Sequence, residues 1–225
     1  MNIIVTGAGK GIGYSIVKKL SQNISHSVIA ISRNIENIKK IKSNNIIPFS
    51  FDINTLSSKK LKIDFLKNNK IDILINNAGL LINKPFKDFS RNEISQIMDT
   101  NFISTALLIQ YLFPFFNEKG THVINIGSMG GYQGSEKFPG LSFYSASKAA
   151  LANLTECLAQ EFADTKHKFN CLALGAVQTE MLNTAFPGYN APIMPDEMAD
   201  YIIDFAINAK KIINGKIIPV SLTTP

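Results

Sequence analysis

Short apolar runs alternate with amphipathic stretches along the chain, and this alternation limits the fold more than any other feature. The β-rich runs are Ile3–Val5, Val28–Ile31, Ile46–Phe51, Ile71–Ile75, Val123–Ile126, Cys171–Leu174 and Lys216–Val220. A first helical segment, Ile12–Leu20, repeats Ile12, Ile16, Val17 and Leu20 at helical spacing, and further helical patterns cover 34–42, 55–68, 91–116, 143–164 and 195–210. Strands this short and this continuously apolar are buried on both faces, and strand–helix alternation builds a parallel sheet. The expected fold class is α/β: one doubly wound domain over 1–225, a parallel sheet of about seven strands with helices on both faces. No repeat or linker interrupts it. The stretch 178–195, with Pro187-Gly188 and two further prolines, reads as irregular and as a candidate lid over a site.

Composition removes several functional classes. A chain with 45% hydrophobic residues is not a disordered tail. The net charge of +6 comes from lysine pairs spread along the chain (Lys39-Lys40, Lys59-Lys60, Lys210-Lys211), which read as solvated faces, so no nucleic-acid partner is expected. The most apolar stretch, Ala106 to Phe116, is interrupted by Gln110 and Pro114 and falls short of the roughly 18–20 residues of a membrane span. Met1–Thr6 already reads as strand and carries no secretory signal, so a cytoplasmic location is expected. Cys157, Cys171, His26, His122 and His167 have no metal-ligand spacing; no metal is expected, and both cysteines read as small apolar fillers.

Thr6-Gly7-Ala8-Gly9-Lys10-Gly11-Ile12-Gly13 lies between the first strand and the first helix. Gly7 permits a tight turn, Gly11 lets backbone approach a pyrophosphate, and Gly13 allows close helix packing; the helix N–H groups then face the phosphates. An NAD site usually carries an acid after the second strand. Here Ser32-Arg33-Asn34 follows, with no carboxylate before Glu36. Arg33 and Lys10 are placed to hold a 2′-phosphate, which favours NADP(H) over NAD(H); otherwise Arg33 is a solvated loop residue.

Tyr144 and Lys148 stand four residues apart at the start of the 143–164 helix, on one face. A phenol titrates at about 10, and a neighbouring ammonium is expected to pull that value down, which makes the two a sensible acid/base pair. Ser128 follows Val123–Ile126 and is placed to hydrogen-bond a substrate carbonyl.

With these motifs in order, the sequence resembles the short-chain dehydrogenase/reductase family, whose domain is a Rossmann fold. Thr6–Gly13 matches its TGxxxGIG loop; Asp52-Ile53 matches the acidic–aliphatic pair after the third strand; Asn76-Asn77-Ala78-Gly79 matches NNAG; Pro139-Gly140 through Tyr144-Ser145-Ala146-Ser147-Lys148 matches the block around the active-site Tyr. The resemblance implies roles. Tyr144 exchanges the substrate proton, and Lys148 lowers its pKa and binds the nicotinamide ribose. Ser128 polarises the carbonyl, and Asn101 holds a water that relays protons. Asp52 and Ile53 contact adenine, Asn77, Ala78 and Gly79 line the cofactor, and Val177 and Thr179 contact the carboxamide. Asn101 as a helix-bending residue, Ser128 as a strand end and Asp52 as a helix N-cap are the plain structural alternatives.

Three departures from the family stand out. Extra residues around Ser135-Glu136-Lys137 lengthen the Ser128–Tyr144 interval, Leu174 replaces the usual Pro before Gly175, and the end Ser221–Pro225 lacks the Asp-Gly-Gly continuation. The implied activity is NADP(H)-dependent interconversion of a carbonyl and a secondary alcohol on a small-molecule substrate. A 3-oxoacyl-carrier-protein reductase and a non-catalytic NADP(H)-binding sensor are the alternatives. A homodimer or homotetramer is expected, with Leu107, Leu108, Leu151, Leu154 and Leu158 facing either a partner or the sheet.

Overall fold

Successive residues of the central strands enter two different cores. Ile3 and Val5, Ile73 and Ile75, Ile124 and Ile126 pack on one face of the sheet; Ile4, Leu74 and Val123 pack on the other. That is the period-2 geometry of a strand buried on both sides. The structure, a computed structural model, describes residues 1–56 and 61–222. The strands are β1 (Asn2–Thr6), β2 (Ser27–Ser32), β3 (Ile46–Ser50), β4 (Ile73–Asn76), β5 (His122–Ile126), β6 (Lys168–Leu174) and β7 (Ile217–Val220). All pair in parallel, in the order β3-β2-β1-β4-β5-β6-β7. The edge strands β3 and β7 each carry a proline, Pro48 and Pro219, where a missing N–H is tolerated.

The helices are α1 (Gly11–Leu20), α2 (Glu36–Lys39), α3 (Arg91–Met98), α4 (Ser104–Leu112), α5 (Ser142–Glu161), α6 (Glu180–Ala185) and α7 (Pro195–Asn208). α1 and α7 cover the first core: Ile16, Val17 and Leu20 meet Met198, Ile202 and Phe205 there, and Lys19 bridges to Asp200 at 2.8 Å. Leu108 and Leu112 of α4 belong to the second core with Phe169 of β6.

Four expected elements differ. The pattern over 55–68 forms no long helix among the described residues, only 3-10 turns at Ile53–Thr55 and Asp64–Lys67; residues 57–60 lie outside the described part. Leu61, Ile63 and Leu66 are drawn into the second core, and the Tyr111 hydroxyl donates to the Leu61 carbonyl. Tertiary burial overrides local periodicity. The 91–116 helix is interrupted by a π-turn at Asp99–Ile103 and ends in a 3-10 turn around Pro114. The 34–42 pattern is helical only over Glu36–Lys39. The stretch expected to be irregular contains α6, because the Thr179 hydroxyl caps it by accepting from Leu182 N–H at 3.2 Å. Cys171 is a buried filler as expected; Cys157 is exposed. Among the described residues no helix is long and apolar enough to cross a membrane.

Candidate active site

The sheet runs outward in opposite directions from β1 and β4, and the crevice at their carboxyl ends is where such sheets bind ligands. A cleft of about 840 Å³ opens there, within the roughly 300–1,000 Å³ common for small-molecule and cofactor sites.

At one end of the cleft is the glycine loop. Gly7, at φ +66°, turns the chain, and a Cβ on it would stand 2.8 Å from Ala78 Cα. A Cβ on Gly13 would meet the Gly7 carbonyl at 2.4 Å, so Gly13 seats α1 beneath the loop and does not itself line the cleft. Gly7, Gly9, Lys10, Gly11 and Ile12 do line it. The N-terminus of α1 has no side-chain cap and no acid in its first turn. Such a terminus is left to be satisfied by water or an anionic ligand.

The far side of this end is β2. Ser32 and Arg33 line the cleft, and the Arg33 and Lys10 side chains make no hydrogen bond or ion pair with any described residue. Glu36, the first carboxylate after β2, is bound to Lys39 at 2.9 Å. Asp52 lines the cleft and also caps the next turn, accepting from Asn54 N–H at 3.0 Å; buried Ile53 stands beside it. The residues present therefore suit a dinucleotide carrying phosphate groups.

Asn77, Ala78 and Gly79 form the floor. The Asn77 amide is already committed, donating to the Thr6 and Gly7 carbonyls at 3.0 and 3.3 Å. In return the Thr6 hydroxyl accepts from the Asn77 and Ala78 N–H groups at 3.0 and 3.1 Å. Thr6 thus joins the two loops, a role that nothing in the sequence marked beyond its place in the motif.

Tyr144 and Lys148 line the opposite end with Ser128. The Ser128 hydroxyl lies beside Tyr144 in the cleft and accepts from Gly130 N–H at 3.2 Å. Lys148 donates to the Ile126 carbonyl at 2.8 Å, and its Nζ stands 5.9 Å from the centre of the Tyr144 ring. The structure does not bear out the expectation that Lys148 lowers the Tyr144 pKa. Burial raises the Tyr144 pKa, and the Ser128 hydrogen bond, not the lysine, opposes that rise. Burial also pushes Lys148 down to about 8. Low-dielectric surroundings penalise both charged forms at once.

Asn101 lies behind this end, fully buried, at the centre of the π-turn. Its Oδ1 accepts from Leu80 N–H at 2.7 Å, and its Nδ2 donates to the Leu80 carbonyl at 2.8 Å and the Ser147 hydroxyl at 2.9 Å. Ser147 in turn donates to the Tyr144 carbonyl at 2.7 Å. A π-turn in a helix is a common mark of a functional position.

Val177 and Thr179 line the last wall, Val177 bridging to Ile193 and Thr179 capping α6. Leu174 completes β6 opposite Val220, with the Gly175 N–H donating to the Val220 carbonyl at 2.9 Å. The ladder thus runs through the position where the family usually has proline. The added residues 135–137 fold back on themselves: Ser135 donates to the Tyr132 carbonyl at 2.9 Å and Lys137 donates to the same oxygen at 2.6 Å. Sequence reading missed Leu80, Met129, Phe138 and Leu141, whose only signal was an apolar residue in a loop.

Residues 1–190 match the family model for short chain dehydrogenases, and the chain belongs to that family. It is a dehydrogenase/reductase acting on CH–OH and C=O groups. An uncharacterized oxidoreductase of Staphylococcus epidermidis is 28% identical over 206 residues, covering 89% of this chain and 88% of the relative. The ketoacyl reductase HetN of Nostoc sp. is 32% identical over 189 residues, 80% of this chain and 64% of the relative. A short chain dehydrogenase family protein from Francisella tularensis superposes with a TM-score of 0.82 at 25% identity, covering 97% of this chain and 96% of that one. Solved structures of similar likeness include complexes with NADH and with NADP.

Proposed function

We propose that this chain is an NADP(H)-dependent oxidoreductase that interconverts a carbonyl and a secondary alcohol, with Tyr144 as the acid/base. The observation that carries the reading is one cleft with two cations, Lys10 and Arg33, unpaired among the described residues at one end and Tyr144 beside Ser128 at the other. The α1 N-terminus with Gly9, Lys10 and Gly11 holds the cofactor diphosphate, and Ser32, Arg33 and Lys10 hold the 2′-phosphate. Asp52 and Ile53 contact the adenine, Asn77, Ala78 and Gly79 lie under the dinucleotide, and Val177 and Thr179 hold the carboxamide. When bound, the cofactor supplies the hydride for reduction or accepts it in oxidation.

The chain's own groups manage the proton. Burial keeps the Tyr144 phenol protonated at neutral pH, so it donates to the carbonyl oxygen in reduction. Ser128 orients and polarises that oxygen. Lys148, charged below about pH 8, binds the ribose. Asn101 holds Leu80 and Ser147 in place, and its Oδ1 retains one lone pair for a relay water. The proposal extends to one catalytic domain over 1–225, a cytoplasmic location and a homodimer or homotetramer. Leu108 and Leu151 are buried in the chain itself, leaving half-buried Leu107, Leu154 and Leu158 as the leucines that can meet a partner.

The likeness to a ketoacyl reductase supports a narrower second reading, reduction of 3-oxoacyl groups on a carrier. Carrier-linked substrates turning over no faster than free ones would remove it. The main test is NADPH oxidation across a broad carbonyl panel, with wild type and Tyr144→Phe side by side. The expected result is turnover by wild type and a loss of about 10²–10⁴-fold in the variant. A folded wild type that binds NADPH yet reduces nothing on the panel contradicts the proposal and favours a sensor.

A further inference from the structure

The charges around the cleft are unevenly placed. Among the described residues its charged lining consists of Lys10, Arg33, Asp52, Glu180 and Lys148. Lys10, Arg33 and Asp52 lie on the glycine-loop, β2 and β3 side. Glu180 belongs there too, its Oε2 standing 3.6 Å from where a Gly11 Cβ would be. Polar Thr100 is on the same side, accepting from the Asn54 amide at 3.0 Å.

Around Tyr144 the walls are of another kind. Three segments converge: the loop after β4, the turn before α5 and the lid. They are stitched by the Asn83 amide donating to the Ala185 carbonyl at 2.8 Å and by the Lys84 N–H donating to the Gly140 carbonyl at 3.0 Å. They present Leu80, Met129, Phe138, Leu141, Met181 and Phe186 to the cleft. The cation closest to Tyr144, Lys148, is bonded to the Ile126 carbonyl. Two lysines of the surrounding loops are also engaged: Lys84 is paired with Glu93 at 3.0 Å, and Lys137 donates to the Tyr132 carbonyl. Among the described residues that line this end no cation is left without a partner, so a carboxylate bound there would lose its water uncompensated, a steep penalty for a charge entering apolar surroundings. Phe138, 48% exposed, is also a wall of a neighbouring groove of about 570 Å³ with Pro85, Phe86, Pro139 and Lys137, whose ammonium is held by the Tyr132 carbonyl and the Ser135 hydroxyl, so an apolar chain has room to continue past it.

Resting on the function proposed above, we infer that the substrate is a neutral, apolar ketone or the matching alcohol, seated by its hydrocarbon part against Phe138, Met181 and Phe186, and that the site selects against carboxylates.

The test compares oxo acids with their methyl esters at equal chain length, beside a series of 2-alkanones of increasing length, by NADPH oxidation. The esters are expected to exceed the acids in kcat/KM by about tenfold or more. Each added methylene is expected to raise kcat/KM about fourfold until the wall is filled, the equivalent of roughly 0.8 kcal/mol per buried CH₂. Phe138→Ala, at a half-exposed position, should flatten the series for long ketones more than for short ones. Acids turned over as well as esters, or a flat series, overturn the inference while leaving the oxidoreductase reading intact. Absence of all turnover overturns that reading instead. Calorimetric titration of an ester and its acid into the NADPH-saturated Tyr144→Phe protein then decides the substrate class by binding alone: a tighter ester supports it, and a tighter acid or no binding by either overturns it.

Discussion

Two buried bases tie single residues to measurable pH effects. His122 is fully buried; its Nδ1 is 2.9 Å from the Ala206 carbonyl and its Nε2 accepts from the Asn170 amide at 2.9 Å. Burial pushes its pKa from 6.5 down to about 4. Between those values the unfolded chain binds a proton that the folded chain refuses, so stability falls as pH drops from 6.5 to 4 and is unaffected above 6.5. The full loss is roughly 3 kcal/mol, at about 1.4 kcal/mol per pH unit. Urea unfolding at neutral pH and near pH 5 should show this slope, and His122→Gln should flatten it. Lys148 follows the same sign at higher pH. An unfolded lysine stays charged up to about 10.5, the folded one only to about 8, so its burial costs roughly 3 kcal/mol below pH 8, a cost that fades as pH rises between those values. Lys148→Met should abolish most activity yet raise stability at neutral pH by about 1–2 kcal/mol, after loss of the hydrogen bond to the Ile126 carbonyl. Chemical denaturation checks it; a destabilised variant contradicts it. The positions of Tyr144 and Lys148 were legible from their spacing. The sign of the Tyr144 shift was not, because spacing reports which helix face a residue occupies and not how much water reaches it.

At the scale of elements, strands were read well and helices less so. A buried parallel strand needs only a few consecutive apolar residues, and its limits show in the sequence. The π-turn at Asp99–Ile103 leaves the apolar periodicity of 91–116 almost unchanged, so that stretch reads as one helix. What marks the turn is the bonding of Asn101 to Leu80, 21 residues away, which no local pattern contains. Asn101→Ala would leave the part-buried Leu80 N–H and carbonyl without their partner. The expected cost is about 2–4 kcal/mol in stability, together with reduced turnover, read by thermal unfolding and steady-state rates. A merely bent helix would lose far less. The lid shows a similar limit. Thr179 as a cap for α6 was available in the sequence, but Pro187-Gly188 and the neighbouring prolines masked it.

Over the whole molecule, the sheet sets the site and its edges are closed off. Pro48 and Pro219 interrupt the edges of a sheet whose other strands are paired on both sides. Pro219→Val should restore a donor on β7 and raise light scattering during refolding, with little effect on turnover. The charge of +6 also acquires a location: two of its cations, Lys10 and Arg33, line the cleft with no ion pair among the described residues. The glycine-loop end of the cleft was legible because its glycines and asparagines are needed in fixed order. The apolar half was not, since Leu80, Met129 and Phe138 are ordinary apolar residues until the loops are folded together. The most direct test of NADP(H)-dependent catalysis is the ratio of kcat/KM for NADPH to that for NADH, measured in wild type and in Arg33→Ala with one reducible ketone. The expected ratio is well above one in wild type and falls roughly tenfold or more in the variant, through KM for NADPH. A wild type that uses NADH as well as or better than NADPH, with a ratio that Arg33→Ala leaves unmoved, would contradict the account.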